Sequence, residues 1–322
     1  MSLAYLPAFK KEREPMNKKP KKLANKKVQD RVTYVLFLLP ALIAFFCVIV
    51  VPFISGIYYS FTNWTGIPSS DMHWVGLKNY IDAFQDNRFH YSILVTLLVG
   101  GLNFIVINIV SFALALLVSS KLKGRNVYRA GFFLPNLIGG LVLGYIWQFI
   151  YNQIVPNLGI KFFEANNHYF LVNPKMAIIA LVITQTWQYA GYIMMIYYTA
   201  LQNVSKELLE SAEIDGCTGW QRLRKITIPL IMPTFTITLF LTLSSSMKMY
   251  DVIISLTNGG PSMLWNGEAI NATEMIAVNI YKTATVENHM ALGQAKAILF
   301  FIGLAVLTLI QTHITRSKEI DA

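Results

Sequence analysis

The residues with chemistry to offer fall in two places. Residues 211–233, "SAEIDGCTGWQRLRKITIPLIMP", crowd acids, bases, glycine and proline between two long apolar stretches. Residues 183–202, "ITQTWQYAGYIMMIYYTALQ", set amides and phenols inside an apolar stretch. There Gln185, Gln188, Tyr189 and Tyr192 recur at intervals of three, four and seven, which on a helix makes one polar and aromatic face. Polar groups in hydrocarbon face a bundle interior or cavity, or they bond a neighbouring helix; the pattern does not choose. Lys248 and Asp251, three residues apart, are spaced to pair across one helical turn. An ion pair, a site for an acidic solute and a gate at the outer end of the helix are all open readings of them.

Catalytic constellations do not appear. ATP hydrolysis needs a phosphate-cradling loop of the form G-x-x-x-x-G-K-[ST], and the sequence has none. Zinc-ligand spacing, a nucleophile elbow and paired carboxylates are missing too, and the five histidines are scattered. No catalytic residue, metal ligand or cofactor of the chain's own is expected, which argues against a membrane-embedded enzyme.

The elements that must position these residues are membrane helices. Of the 322 residues 54 % are hydrophobic and 14 % charged, with a mean hydropathy of +0.47, whereas a soluble domain carries roughly a quarter charged residues. Stretches near 32–61, 92–119, 127–151, 176–201, 229–256 and 290–314 each reach the ~20 residues that cross a bilayer. The third and fifth are the least pure, holding Pro135, Gln148, Pro233 and Lys248. Ten basic residues precede the first span, four lie in 120–129, four in 202–228 and two after the last, against two, two and one in 62–91, 152–175 and 257–289. The positive-inside rule then puts both termini and the 202–228 loop in the cytoplasm.

The leader "KKEREPMNKKPKKLANKK" is too charged and too poor in apolar residues to bury a core; fixing topology and touching anionic lipid, or a specific regulatory role, are its open readings, and Met16 within it competes with Met1 as the natural start. The first span lacks a small-residue cleavage site and is expected to be retained. Although the net charge is +10, the basic residues are not interleaved with stacking aromatics, so nucleic acid is not an expected partner. Cys47 and Cys217 are expected as free thiols. Trp64, Trp74 and Tyr80 in the first outer loop read as interface anchors or as a docking surface. The segment 268–282 reads as a short surface helix after the Gly-Gly-Pro turn of "LTNGGPS".

In the 202–228 loop, Ser205 can cap a helix over "KELLESAEID", with Glu207 at its favourable end. Leu208, Leu209, Ala212 and Ile214 give it an apolar side, and Gly216 supplies the left-handed residue that ends it. Asp215 sits at the wrong end for the helix dipole, so the cluster Arg222, Arg224 and Lys225 is expected to favour it. "WQRLRKITIPLIMP" can then begin a second helix leading into the fifth span, so that two short helices meet at an angle beneath the membrane. Such a loop is either a helix lying on lipid or a knob with surface to bury.

The string Glu210, Ser211, Ala212, three residues, Gly216, nine residues, Ile226, Thr227, Ile228, Pro229 resembles the EAA motif of bacterial ABC-importer permeases. That motif is written E-A-A, three residues, G, nine residues, I, any residue, L, P; Ser211 and Ile228 depart from it conservatively. "WVGLKNYIDAF", "RAGFFLPNLIGGLVLGYIWQFIY" and "YDVIISLTNGGP" are similar to segments of the carbohydrate-uptake branch. The resemblance implies an all-α, six-span permease with a basic leader (1–31), a first helix and outer loop (32–91), a transmembrane core (92–315) with its EAA loop at 205–233, and a tail (316–322). It implies a second permease subunit, two cytoplasmic ATPases that bind the ATP and magnesium, and a solute-binding protein outside the cell membrane. Glu210, Ser211, Ala212, Asp215 and Gly216 would then touch an ATPase, Ala212 permitting close approach and Gly216 shaping the bend.

Residues 183–202 also resemble the "NTWLGYPYMM" region of the larger permease subunit of maltose importers. Alignment on Thr186-Trp187 implies sugar contacts at Gln185, Gln188, Tyr189 and Tyr192. Counting back from the shared "LTNGGP" ending implies Thr242, Ser246 and Met249 on the next helix. A carbohydrate, most simply an oligosaccharide, is the expected cargo. The rival is a secondary transporter or channel working without ATPases, which needs ion-coupling carboxylates in its spans; Asp251 is nearly all the sequence offers.

Overall fold

Long apolar runs with few breakers make long helices, and the breakers decide where those helices bend. The computed structural model describes residues 21–67, 71–120, 122–158 and 170–319. Most of the leader, with Met16, and the last three residues of the tail lie outside them. The chain forms two units, residues 1–55 and 56–322. The first is mostly the N-terminal part of helix α1 (residues 21–60), which holds Pro40 and has a π-turn at Phe46–Val50 just ahead of Pro52, whose nitrogen cannot donate a helical bond.

In the second unit, α2 (Lys78–Gln85) leads into α3 (Asn87–Ser119), whose first amides are capped by the Asp86 carboxylate. Three helical stretches, 30–60, α3 and α12 (Met290–Arg316), are single helices long and apolar enough to cross a membrane. Two further stretches reach that length only as bent pairs. Spans were expected at 127–151 and 229–256, and each of these stretches overlaps one of the bent pairs. In the first, α4 (Arg125–Phe133) passes through a 3-10 turn containing Pro135 before α5 (Gly140–Phe149), and the pair is bent by 101°. Proline removes a helical donor, and Gly139 takes an extended conformation, so the helix restarts in a new direction. In the second, α8 (Gly219–Leu230) meets α9 (Met232–Met247) at 73° around Ile231, between Pro229 and Pro233. That span breaks again, because α10 (Asp251–Leu256) begins only after residues 248–250. Helix α6 (Pro174–Asn203) is 30 residues long, but Gln185, Gln188 and its tyrosines leave it less apolar than the others.

Close approach holds these pieces together. A Cβ on Gly191 of α6 would lie 1.7 Å from the Phe132 carbonyl oxygen, so only hydrogen fits where α6 meets α4. Between α3, α6 and α9 runs a buried polar ladder: Thr238 donates to the Tyr197 hydroxyl (2.7 Å), Tyr197 to Asn108 Oδ1 (2.9 Å), and Asn108 Nδ2 to Thr242 Oγ1 (2.7 Å). Ile107, Ile193 and Met194 surround it. Each buried group finds a partner, which is what makes polar residues affordable there.

Residues 268–282 differ from the expected surface helix. Strands β1 (Ser262–Trp265) and β2 (Glu268–Asn271) form an antiparallel hairpin, and α11 (Ile276–Tyr281) follows with Ile276, Val278 and Asn279 buried. Asn266 and Gly267 both have positive φ, 51° and 84°, the conformation of a two-residue hairpin turn that Asn-Gly favours. The all-α expectation is thus amended by one small hairpin. Nearby, Trp64 stacks on Tyr59 and Trp74 on Phe61, and the Tyr80 hydroxyl lies 2.7 Å from Ser60 Oγ.

Candidate functional site

The breaks in the helices create a polar cavity. It measures about 170 Å³ and is lined by Gln185, Gln188 and Tyr189 of α6, Gly140 of α5, and Ser245, Lys248, Met249, Tyr250 and Asp251 around the α9–α10 break. Gln188 Nε2 donates to the Ile138 carbonyl at 3.0 Å, a group freed from helical bonding by the α4–α5 break. Gln185 is 3 % exposed, and its Oε1 has no hydrogen-bond partner among the described residues. Among the larger cavities, those of about 430 and 380 Å³ flank residues 200–234, and those of about 290 and 500 Å³ lie between helices with nearly all their lining apolar. Such linings suit hydrocarbon rather than a polar ligand.

Four of the seven residues singled out for substrate therefore share one cavity: Gln185, Gln188, Tyr189 and Met249. Thr242 and Ser246 are fully buried, Thr242 in the polar ladder. Tyr192 packs among the side chains around Tyr197. Lys248 and Asp251 do not pair across a helical turn. The ion pairs among the described residues are Arg88–Glu274, Arg88–Glu287, Arg222–Glu213, Lys282–Glu274 and Lys296–Asp86. The three-residue spacing presumes a continuous helix, and the break at residues 248–250 removes it. Ser245, Tyr250 and Gly140 were not singled out; only the polar residues "SMKMYD" inside an apolar run signalled that region.

At the far end of α6 the chain makes a second arrangement. Helix α7 (Lys206–Ile214) ends at Asp215, and Gly216 follows with φ 77°. Cys217 N donates back to the Ala212 carbonyl at 3.0 Å, the bond pattern of a left-handed helix stop. Thr218 caps α8 through a reciprocal bond with Gln221. Ser205 occupies the N-cap position but its side chain makes no capping bond, contrary to expectation. The expected apolar side splits in two. Ala212 is buried and Leu209 half-buried, whereas Leu208 is 47 % and Ile214 87 % exposed. At 100° per residue, Ile214 falls opposite Ala212. Arg222 pairs with Glu213 at 3.3 Å rather than with Asp215. Glu210, Ser211, Asp215 and Gly216 are exposed, and neither acid joins an ion pair among the described residues. Cys47 and Cys217 are free.

A third cluster escaped the sequence reading because its members are distant in the chain. Glu274, 1 % exposed, receives Arg88 Nε at 2.6 Å and Lys282 Nζ at 3.0 Å, with amide donors from Asn271 and Asn279. Arg88 also pairs with Glu287. Burial pushes the Glu274 carboxyl up, but bonds from Arg88 and Asn271 and the charges of Arg88 and Lys282 outweigh it, leaving it at about 2. Lys296, buried on α12, donates to Asp86 Oδ2 (2.7 Å), Asn279 Oδ1 (3.1 Å) and Thr283 Oγ1 (2.9 Å). These contacts join α2, α3, α11 and α12.

Known proteins share this architecture. A permease protein of Thermoanaerobacterium thermosulfurigenes, described as a probable starch degradation products transport system permease, is 39 % identical over 91 % of this chain and 97 % of its own length. A multiple sugar-binding transport system permease of Streptococcus mutans is 29 % identical over 84 % of this chain and 90 % of its own. Among solved structures, a chain of a bacterial ABC transporter involved in alginate import superposes with a TM-score of 0.74 at 22 % identity, covering 92 % of this chain and 99 % of that one, a likeness of fold. The family described as "binding-protein-dependent transport system inner membrane component" matches residues 109–320, which include the polar cavity and the α7–α8 loop. This chain belongs to that family of inner-membrane transport components.

Proposed function

We propose that the chain is one permease subunit of an ATP-driven importer that takes an oligosaccharide from a solute-binding protein. It crosses the membrane six times with both termini cytoplasmic, counting α6 and the two bent pairs as spans. It forms half of the path with a second permease, and the polar cavity handles sugar. The α7 loop docks in an ATPase subunit, with the exposed Glu210, Ser211, Asp215 and Gly216 at the contact and Ala212, expected there too, packed behind them against the chain's own helices. The observation that supports this most directly is the surface of α7. A left-handed glycine ends it and a capping box starts α8 after it, and the turn leaves Ile214 87 % and Leu208 47 % exposed, with Glu210 exposed beside them. An interior helix would bury such apolar groups, so they suit a partner's cleft. Family membership and relatives described as sugar permeases support the same reading.

Purification from the native membrane tests it. An ATPase and a second permease should copurify, and Glu210→Lys should abolish ATP-driven uptake while leaving solute binding by the external protein intact. A chain that transports as an isolated monomer would instead favour a secondary transporter or channel.

A further inference from the structure

We propose that Lys248 and Asp251 set the charge selectivity of the polar cavity, Asp251 accepting sugar hydroxyls and Lys248 balancing its charge, so that neutral sugars are preferred to anionic ones. This rests on the oligosaccharide reading and names the substrate class within it. Both side chains line the cavity, both are exposed, and neither is in an ion pair among the described residues. An exposed charge on a membrane helix that faces lipid would be expensive, so an unpaired one belongs on a watered or ligand-bearing surface. The helix break at residues 248–250 is what opens them: it ends the turn-to-turn spacing that would have locked the two together.

Two further observations point to a ligand. Gln185 Oε1 is buried at the cavity wall without a partner among the described residues, an acceptor of the kind a sugar hydroxyl satisfies. Gly140 leaves space beside Asp251: a Cβ there would stand 2.9 Å from the Asp251 Cβ and 3.6 Å from its Oδ2. The carboxylate thus reaches past a residue that has no side chain to block it. The remaining polar lining from Gln188, Tyr189 and Ser245 is neutral, so the cavity holds one cation and one anion. A neutral polyol meets a carboxylate that accepts and an ammonium that donates. A uronate carboxylate meets the attraction of Lys248 and the repulsion of Asp251 together, so its larger dehydration cost is not offset, which discriminates against it.

The test uses the permease assembly in nanodiscs without its solute-binding protein, so that only the membrane site is read. Affinities for maltotriose and for trigalacturonate are measured by saturation-transfer NMR. Wild type should favour maltotriose. Asp251→Asn should weaken maltotriose about tenfold, since a charge-assisted hydrogen bond is lost, and should raise trigalacturonate affinity. Lys248→Met should move the preference ratio the opposite way, further against trigalacturonate, and Asp251→Glu should restore the wild-type order. Should Asp251→Asn fail to assemble, the Lys248→Met and Asp251→Glu ratios decide. A wild type that discriminates while the variants leave the ratio unchanged overturns this proposal alone. A wild type that binds neither sugar overturns the oligosaccharide reading and this proposal with it.

Discussion

Helix α3 has Arg88 in its first turn beside Glu274, and Ser119 at its other end lining a cleft with Leu209 and Arg222 of the α7–α8 loop. Its 33 residues separate the two by about 50 Å. At the Glu274 end, acids and bases are enclosed and spent on one another: Arg88, Lys282 and Lys296 each have an acidic partner. In the α7–α8 loop, one exposed pair, Glu213–Arg222, is the only ion pair among the described residues, while Glu207, Glu210 and Asp215 stay unpaired and Ile214 stands open. The first region is built for internal cohesion. The second keeps its interaction capacity for something outside the chain.

Stability measurements on the two ends can break that contrast. The largest effect is expected from Glu274→Ala, which leaves Lys282 without its acidic partner and Arg88 with Glu287 alone and should cost about 3 kcal/mol, read as a lowered thermal midpoint in detergent. The same carboxyl predicts a pH dependence. Its ordinary value of 4.5 falls to about 2 in the fold, so its contribution is complete above pH 4.5 and is lost as pH falls through about 2. The gap between wild type and Glu274→Gln should narrow over that window; a gap that stays constant would mean the charge is not what holds the cluster.

Smaller losses are expected at the other end. Gly216→Val forces a side chain into φ 77° and should cost about 1–2 kcal/mol. Thr218→Ala removes a helix cap and should cost about 1 kcal/mol. Glu210→Lys should change the midpoint least, by the equivalent of about 0.5 kcal/mol, while removing coupled uptake. If Glu210→Lys unfolds the chain as Glu274→Ala does, the division between a cohesive end and a docking end fails.

Much of the loop was readable from sequence because its devices are local. The Gly216 stop and the start of a second helix after it depend on residues within a few positions, and local spacing predicts them. The side of α7 that is buried was not readable, since the more apolar Ile214 is exposed while Ala212 is buried, and only the neighbouring helices make that choice. Likewise Asn266-Gly267 was a local hairpin signal, missed in favour of helical periodicity. The bends at Gly139–Gly140 and Ile231 were marked by prolines, but a proline in a membrane helix permits either a tolerated kink or a full break.

From the sequence alone came the membrane class, the apolar lengths, the motif at residues 210–229 and the polar face of α6, because each is a matter of composition or short-range spacing. Tertiary structure alone decided that Glu274 and Lys296 lie buried in a charge cluster, that Thr242 is consumed in a ladder with Asn108 and Tyr197, and that Lys248 and Asp251 stand apart across a broken helix. Those outcomes join residues up to 210 positions apart. Burial and charge pairing are properties of neighbours in space, which chain order does not specify.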